Sequence, residues 1–394
     1  MKLSSRITQI TPGGADGWEL YRRARAMIAS GLAVADLTQG EHDIRTDPAI
    51  LSALQDAARA GHTCYPTIPG IAPLRHAIAA RIAARTGVPT GPDNIIVTAG
   101  GQGALFMAHH AVCDPGDVAL FIDPYYATYP GTIRAVGAVP RAVQVRSEDG
   151  FQPRATDLAA ATQGARSLLI NSPNNPTGVI YSRDTLTAIA RTCMDHDLWL
   201  ISDEVYDTLV WNGDHLSPRA LPGMADRTLV IGSMSKSHAM TGSRIGWICG
   251  PTDAIAQLGH LATNTTYGIP GYIQDAALFA LTLGPGFEAQ IAAPFQRRRK
   301  ITADCLARQN LIQAVPMDGA MFVMLDVRPT GLTGAAFAAA LLDKHQIAVM
   351  PGDSFGAAST GHIRVAMTVA DDRYEAALGQ ILQFAQSLAA QPPA

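Results

Sequence analysis

Six apolar runs in the middle of the chain have the length of buried strands, and helix-like segments separate several of them. The runs are "NIIVTAG", "VALFID", "SLLINSP", "LWLISDE", "LVIGSMS" and "IGWICG", all between residues 94 and 250. Continuous apolar runs that alternate with helical patterns, such as 104–112 and 184–197, are typical of a mostly parallel sheet with helices on both faces. The sequence therefore predicts an α/β fold.

The pattern changes after about residue 286. A long helical pattern through 297–309 leads to the runs "AMFVMLDV", "IAVMPG" and "HIRVAMT", with one helix between them and a last helix at the end. The N-terminal stretch holds one amphipathic helix pattern and the short run "VADLTQG". We predict a large domain over residues 46–286 and a smaller α+β domain built from both chain ends, 1–45 and 287–394.

Polar segments follow four of the strand runs, namely "TAGGQG", "NSPNNPTG", "SDEVY" and "GSMSK". Ligands of open α/β sheets bind outside the carboxyl ends of the strands, so these segments predict a site. Taken singly, each is also compatible with a structural role. The glycines suit a tight turn, the Pro/Asn run suits a turn, and Asp203 suits a helix N-cap.

Lys236 lies in an environment that the other lysines do not share. Only four of the 30 basic residues are lysines, and Lys2, Lys300 and Lys344 occur in ordinary polar surroundings. Lys236 instead follows a strand run and has serine, glycine and apolar neighbours. Arginine stays protonated, whereas a desolvated lysine can lose its proton and act as a nucleophile. Its position therefore hints at amine chemistry.

Charge and motif spacing exclude several classes of function. A net charge of −3 gives no basic footprint for nucleic acid. The one dense cationic run, Arg297 to Lys300, is interpreted as a solvated helix face. "GSMSK" fits the S-x-x-K motif of penicillin-recognising enzymes, but the K-T-G and S-D-N partners are missing. "TAGGQG" fits neither a P-loop nor a full G-x-G-x-x-G.

Cysteine usage and the N-terminus bear on the compartment. The five cysteines are odd in number and scattered, with no C-x-x-C pair, which argues against a disulfide framework and a zinc site. The N-terminus shows no apolar signal region, and no run approaches the roughly 18 apolar residues of a membrane span. We expect a cytoplasmic protein that acts without metal, membrane or nucleic acid.

Taken in order, the motifs resemble those of the class I/II aminotransferases, the fold type I enzymes that depend on pyridoxal 5′-phosphate (PLP). They run from "LTQGEHDIRTDP" near residue 40 through "YPTIPGIAPLRHAIA", "VTAGGQGALF", "DPYYATYP", "NSPNNPTG", "SDEVY" and "SMSK" to "HIRVAMT" near residue 365. The resemblance implies a large domain whose mostly parallel sheet is sandwiched by helices, a smaller α+β domain, and a homodimer.

The resemblance implies roles for the residues at the strand ends. Lys236 matches the lysine that forms a Schiff base with PLP and later transfers protons. Asp203 matches the carboxylate that pairs with the pyridine nitrogen, so that the ring can accept electrons. Asn175 and Tyr206 match the hydrogen-bond donors to the phenolate oxygen of PLP, and Tyr126 matches the aromatic ring that stacks on the cofactor.

The phosphate of PLP is expected at a helix N-terminus and in the loop around the lysine. The matching residues are Gly101, Gln102, Ser233, Ser235 and Arg244. Tyr65 matches the tyrosine that reaches the phosphate held by the partner subunit. Arg364 matches the arginine that clamps the substrate α-carboxylate, with Asn175 and the backbone of Gly40 on the same side.

The implied function is transamination, a transfer of nitrogenous groups. An L-amino acid gives its amino group to the cofactor and leaves as a 2-oxo acid, and a second 2-oxo acid then takes the group in a ping-pong cycle. A PLP-dependent β-lyase on the same fold shares the lysine, aspartate and arginine and stays the main alternative. A non-catalytic, PLP-sensing module is the third possibility. It would need an N-terminal helix-turn-helix domain, and only about 45 residues precede the large domain.

The chain departs from the family pattern at several positions. His42 stands where the family often has proline, and His238 and Ser243 stand where aromatic residues are frequent. One branch binds a side-chain carboxylate with a second arginine, but no Arg or Lys lies between Arg244 and Arg297, where that branch places it. A dicarboxylate pocket of that type is therefore doubtful, although His109 or Gln102 could meet such a carboxylate.

Overall fold

The computed structural model describes residues 1–14 and 16–390. Within these ranges the strands are β1 Ala35–Asp36, β2 Ile95–Thr98, β3 Val118–Asp123, β4 Val139–Gln144, β5 Ala165–Asn171, β6 Trp199–Asp203, β7 Thr228–Ser233, β8 Gly246–Cys249, β9 Gln313–Ala314, β10 Phe322–Asp326, β11 Ile347–Ala348, β12 Met350–Pro351 and β13 His362–Ala366. The helices are α1 Ser5–Thr8, α2 Glu19–Ala29, α3 Pro48–Arg59, α4 Ala72–Thr86, α5 Gly100–Val112, α6 Tyr129–Ala135, α7 Ala155–Ala161, α8 Arg183–Asp195, α9 Met234–Ser237, α10 Thr252–Thr263, α11 Gly271–Thr282, α12 Gly284–Leu306, α13 Gly334–His345 and α14 Asp371–Ala389.

Seven strands form the main sheet, in the order β2-β8-β7-β6-β5-β3-β4. The five strands from β7 to β4 run parallel, and β8 runs antiparallel to both of its neighbours. The predicted α/β fold with a mostly parallel sheet is therefore confirmed. Strand β4 was not among the six predicted runs. It lies at the edge of the sheet, and its sequence "VPRAVQ" has only one buried residue.

Helices cover both faces of this sheet, which explains why its strands read as unbroken apolar runs. In β5, Leu168 and Ile170 pack into one cluster with Leu186 of α8, whereas Leu169 packs into another with Leu105 of α5. Successive side chains of a strand point to opposite faces, so a strand buried on both faces needs apolar residues at every position.

The two chain ends meet around a smaller antiparallel sheet. Strands β12, β13, β10 and β9 form it in that order, and β1 pairs in parallel with β11, with Ala35 opposite Ile347. Leu37 packs in the same core as residues of β10. Helix α12 runs unbroken across the predicted limit at 286/287. The exact domain limits stay a prediction.

No single helix in the described ranges is both long and apolar enough to cross a membrane. Helices α11 and α12 meet that test only when taken together, and a bend of 92° separates their axes.

The prediction that residues 297–300 form a solvated helix face is wrong for Arg298, which is only 3% exposed. Its guanidinium donates from Nη1 and Nη2 to Asp43 at 3.0 and 2.6 Å, from Nε to Asp371 at 2.8 Å, and from Nη1 to the carbonyl of Met367 at 2.9 Å. Arg298 thereby ties α12 to the segment after β1 and to the chain between β13 and α14. A basic run in a helical pattern does not reveal which of its members points inward.

We expect Arg298→Met to lower the free energy of unfolding by about 1–3 kcal/mol, because it removes charged hydrogen bonds to two partly exposed carboxylates and leaves the buried carbonyl of Met367 without its donor. The matched control is Arg297→Met. Arg297 also donates to Asp371, at 2.6 Å, but is 58% exposed, so its loss should cost about 0–1 kcal/mol. Urea unfolding of both variants measures the difference. Equal destabilisation by the two substitutions would show that the burial of Arg298 adds nothing to the strength of its ion pairs.

Candidate active site

The parallel strands β5, β6 and β7 end side by side and place their last residues at one edge of the sheet. Asn171 lies opposite Asp203, and Asp203 opposite Ile231, two residues before Ser233. A pocket of about 310 Å³ opens at this edge. It brings together all predicted site residues except Tyr65, namely Gly40, Gly101, Gln102, Tyr126, Asn175, Asp203, Tyr206, Ser233, Ser235, Lys236, Arg244 and Arg364.

Lys236 enters the pocket from the short helix α9, directly after β7. Ser233 caps this helix, because its side chain accepts a hydrogen bond from the backbone N–H of Ser235 at 3.1 Å. The lysine Nζ donates to the carbonyl oxygen of Gly40. Burial lowers the pKa of Lys236 to about 8, helped by the charges of Arg244 and Arg364 and opposed by the charge of Glu41. Roughly a tenth of this amine is therefore unprotonated at pH 7.

Asp203 is buried at the end of β6 and has no cationic partner among the described residues. Its Oδ2 accepts a hydrogen bond from the hydroxyl of Tyr129 at 2.7 Å, and its Oδ1 accepts one from the backbone N–H of Val205 at 3.3 Å. Burial raises the pKa of Asp203 to about 6, although both hydrogen bonds favour the ionised form. The pocket thus presents a carboxylate that a cationic group would stabilise.

Two hydrogen-bond donors lie at the same end of the pocket. Burial raises the pKa of Tyr206, so its hydroxyl keeps its proton. The amide oxygen of Asn175 accepts a hydrogen bond from Nη1 of Arg364 at 2.8 Å, and this contact leaves the amide NH₂ group to donate elsewhere. Both side chains can donate to a ligand oxygen.

The N-terminus of α5 forms an anion-binding corner. No side chain caps its first backbone N–H groups, which carry the positive end of the helix dipole. The hydroxyls of Ser233 and Ser235 and the guanidinium of Arg244 line the same pocket. Gly100 has a φ of +70°, and a Cβ at this position would lie 2.6 Å from Nη2 of Arg244. Glycine is therefore required where the helix approaches the arginine.

Arg364 is almost fully buried on β13 and pairs with no carboxylate in the part of the chain that the structure describes. Its guanidinium lies between the rings of Phe322 and Phe355, 4.3 and 4.4 Å from their centroids, and donates to the carbonyl of Thr38. Its Nε has no hydrogen-bond partner among the described residues. Burial lowers the pKa of Arg364 to about 10. Such a guanidinium suits the carboxylate of a ligand.

These groups fit PLP on grounds of chemistry. The nucleophilic amine of Lys236 suits its aldehyde, and the buried carboxylate of Asp203 suits its pyridine nitrogen. The N-terminus of α5 suits its phosphate, and the donors Asn175 and Tyr206 suit its phenolate oxygen. Arg364 is left for a second, carboxylate-bearing molecule.

Several residues lie elsewhere than the sequence suggested. Tyr65 is 85% exposed outside the pocket, where it contacts the ring of Tyr267 edge-on at 4.9 Å. The suggestion that His109 could bind a substrate side-chain carboxylate is wrong, because His109 is buried in α5 and does not line the pocket. Neither His238 nor Ser243 lines the pocket, and the ring of His238 stacks on Phe287.

Other contacts were not anticipated. His42, at the position where the family often has proline, has its Nε2 2.9 Å from the backbone oxygen of Lys236. Tyr129, the hydrogen-bond donor to Asp203, follows Tyr126 by three residues within "DPYYATYP", a spacing that could have placed both rings at one site. Trp18 also lines the pocket, 6.5 Å from the ring of Tyr126, and no sequence pattern signals that contact.

The comparisons with known proteins agree with this chemistry. The profile of the family "Aminotransferase class I and II" matches residues 30–381. Arginine–pyruvate transaminase AruH of Pseudomonas aeruginosa is 41% identical over 99% of this chain and 100% of its own length. Aspartate/prephenate aminotransferase of Thermus thermophilus is 34% identical over 95% of this chain and 97% of its own length.

Solved structures of the family superpose closely. Aspartate aminotransferase of Thermus thermophilus with maleate has a TM-score of 0.90 at 32% identity, covering 97% of this chain and 100% of that chain. Aspartate aminotransferase of Thermotoga maritima has a TM-score of 0.91 at 31% identity, covering 98% and 100%. The predicted fold type I architecture is thereby confirmed. The chain belongs to the class I and II aminotransferases, enzymes that use PLP to transfer amino groups between amino acids and 2-oxo acids.

Proposed function

We propose that this aminotransferase takes its amino group from an L-amino acid with a positively charged side chain and passes it to a short 2-oxo acid such as pyruvate. Lys236 is the proposed amine that bonds PLP and moves the proton. Arg364 is the proposed clamp for the α-carboxylate of both substrates.

The charges of the pocket carry this proposal. Its basic residues, among those described, are Lys236, Arg244 and Arg364. PLP would engage Lys236 and Arg244, and the substrate α-carboxylate would engage Arg364. The pocket of a single chain therefore has no further basic residue for a second carboxylate on the substrate. Glu41, in contrast, lines the pocket; among the described residues its carboxylate accepts a hydrogen bond only from the neutral hydroxyl of Thr241, at 2.8 Å, and its charge acts on the amine of Lys236. The balance favours a cationic side chain over an acidic one.

The names of the relatives support the same choice. The protein from Pseudomonas aeruginosa, which is named for arginine and pyruvate, is 41% identical to this chain, whereas the aspartate/prephenate enzyme of Thermus thermophilus is 34% identical. Both relatives are named as transaminases, which supports transamination over β-elimination.

PLP, when bound, supplies a carbon that takes up the amino group and a ring that accepts electrons. In the proposed mechanism, Arg364 and the NH₂ group of Asn175 orient the amino acid, while the two flanking phenylalanine rings exclude water from the guanidinium. Lys236 removes the proton from the substrate Cα and returns it at the other end of the transfer. Its lowered pKa allows it to do both near neutral pH.

Asp203 acts through charge in this proposal. A buried carboxylate, held by Tyr129 and the backbone N–H of Val205, keeps a ring nitrogen protonated without reorganisation during the reaction. Tyr206 donates its hydroxyl proton as a hydrogen bond to negative charge that develops on a ring oxygen. These groups are fixed before the substrate arrives.

We further propose a homodimer in which Tyr65 serves the pocket of the partner subunit. Tyr65 and Tyr267 form an exposed aromatic pair outside the pocket of their own chain, and large exposed aromatic side chains are typical of protein interfaces. In this arrangement each active site takes residues from two chains.

The substrate proposal is tested by mixing the PLP-loaded enzyme with one amino acid at a time and following the cofactor absorbance through the half-reaction. We expect kcat/KM for L-arginine or L-lysine to exceed that for L-aspartate by about a hundredfold or more, because an acidic side chain would enter the pocket without a counter-ion. L-alanine serves as the neutral control.

Equal rates with aspartate and arginine would contradict the proposed donor class. Formation of pyruvate and ammonia from a cysteine-like donor, without any 2-oxo acid acceptor, would contradict transamination as the main reaction.

The affinity of the apoprotein for PLP should depend on pH through Asp203. Its pKa of about 6 means that the carboxyl group gains a proton as pH falls through 6, and the protonated form cannot pair with a cationic ring nitrogen. We therefore expect PLP binding to weaken below pH 6, by up to about tenfold per pH unit. Fluorescence titration with PLP measures the affinity at each pH. Asp203→Asn is the control, because the phosphate of PLP titrates in the same pH range and affects both proteins equally. Identical pH profiles would show that Asp203 does not pair with the cofactor.

The dimer is tested by complementation between two impaired variants, assayed at a PLP concentration low enough that the loss of the phosphate contact lowers activity. Lys236→Ala should lower kcat by roughly 10²–10⁴, since it removes the proton-transferring amine. Tyr65→Ala should weaken the phosphate contact in the partner's pocket. A mixed dimer carries both defects in one pocket and none in the other, so co-expression should restore activity well above that of either variant. Restoration fails if each chain builds its whole site alone.

A further inference from the structure

A wider cleft of about 1590 Å³ adjoins the pocket around Lys236. Among the described residues, Trp18 and Gln102 alone line both cavities. The two cavities therefore adjoin at these side chains, and a long substrate side chain that extended past them would enter the cleft.

This boundary carries no cation. The amide of Gln102 is held in place, because its Nε2 donates to the hydroxyl of Thr132 at 2.8 Å and its Oε1 accepts from the hydroxyl of Thr128 at 3.0 Å. The ring of Trp18 contacts Tyr126 and Tyr21 edge-on. Indole faces attract guanidinium and ammonium groups and also pack well against methylene chains. A side chain with a long apolar stem and a cationic end suits such a passage.

A carboxylate lies directly beyond Trp18. The backbone N–H of Trp18 donates to Oδ1 of Asp16 at 3.0 Å, which fixes this side chain beside the indole. Asp16 lines the cleft. Its hydrogen bond from Arg22 lowers its pKa, so it carries its full negative charge at neutral pH.

The protein itself shows that a guanidinium fits Asp16. Nη1 of Arg22 lies 2.8 Å from Oδ1 and 2.6 Å from Oδ2. Arg22 does not line the cleft, so the cleft-facing side of the carboxylate stays available for a second donor. The pair is exposed, with half of the Arg22 side chain in solvent, and such pairs contribute little to stability. An incoming cation can therefore share or replace this contact at little cost.

The charges of the cleft favour a cation as well. Its acidic lining residues are Asp16, Glu19, Asp123 and Asp353, against only two basic ones, Arg23 and Arg134. Arg23 pairs with Asp343, and Arg134 donates to the carbonyl of Ile10 at 3.2 Å. Both cleft arginines are thus engaged elsewhere, and the counter-ion of Asp16 is Arg22, which an incoming cation would have to share or displace.

We propose that Asp16, with the ring of Trp18 and the amide of Gln102 beside it, binds the cationic end of the donor's side chain. The ligand is a guanidinium or ammonium group on a stem of three or four methylenes. This subsite rests on the proposed function, since it receives the side chain of an amino acid whose carboxylate Arg364 holds. It makes Asp16 a specificity-determining residue.

The test compares Asp16→Asn with the unchanged holoenzyme in half-reactions with L-arginine, L-citrulline and L-alanine. Citrulline has nearly the shape of arginine without its charge. We expect kcat/KM for arginine to fall by about tenfold to a hundredfold, mainly through KM, because a charged hydrogen bond is lost. The values for citrulline and alanine should stay within about twofold.

Asp343→Asn is not a suitable control, although Asp343 is also a carboxylate paired with an arginine. It would free Arg23, which lines the cleft, so Asp304→Asn is the better control: it removes an exposed carboxylate from an ion pair with Lys300, neither residue lines the cleft, and all three donors should react as with the unchanged enzyme. Equal losses for arginine and citrulline in Asp16→Asn, or no loss for arginine, would overturn the subsite. If the unchanged enzyme transaminates alanine but not arginine, the proposed donor class fails, and the subsite fails with it.

Discussion

The common edge at which parallel strands end determines most of this molecule's chemistry. Strands β5, β6 and β7 pair in register, so the residues that follow them must lie within one pocket. Asp203 is buried because its strand is covered on both faces, and Lys236 comes close to it because its own strand is the next one in the sheet. Moving β6 by a single residue would turn Asp203 to the opposite face of the sheet.

Two buried charges of opposite sign define what the pocket can hold. Asp203 belongs to the main sheet, and Arg364 belongs to the smaller sheet built by the chain ends. Each is desolvated without a counter-ion among the described residues, an arrangement that costs stability in the free protein. The two ligand types that relieve it are a cationic ring and a carboxylate, so the same unfavourable burial that weakens the fold selects the ligands.

Much of this organisation could be predicted from the sequence, because covered strands require apolar runs and functional residues follow them. The six strand runs of the main sheet and the identity of Lys236 as an unusual lysine came from such local patterns. Long-range contacts could not be predicted in this way. Arg298 looked like part of a solvated run, His109 looked available, and the contact of Trp18 with Tyr126 depends on how the N-terminal segment packs. Helical or strand periodicity does not encode such packing.

The hydrogen bond between Arg364 and the carbonyl of Thr38 joins residues 326 positions apart. During synthesis from the N-terminus, the strands that carry Asp203 and Lys236 leave the ribosome long before Arg364 exists. The residues that suit PLP are therefore synthesised well before the residue that suits the amino acid. Tyr206 nevertheless packs against Phe322, so the cofactor side of the site reaches its final form only when the later part of the chain arrives.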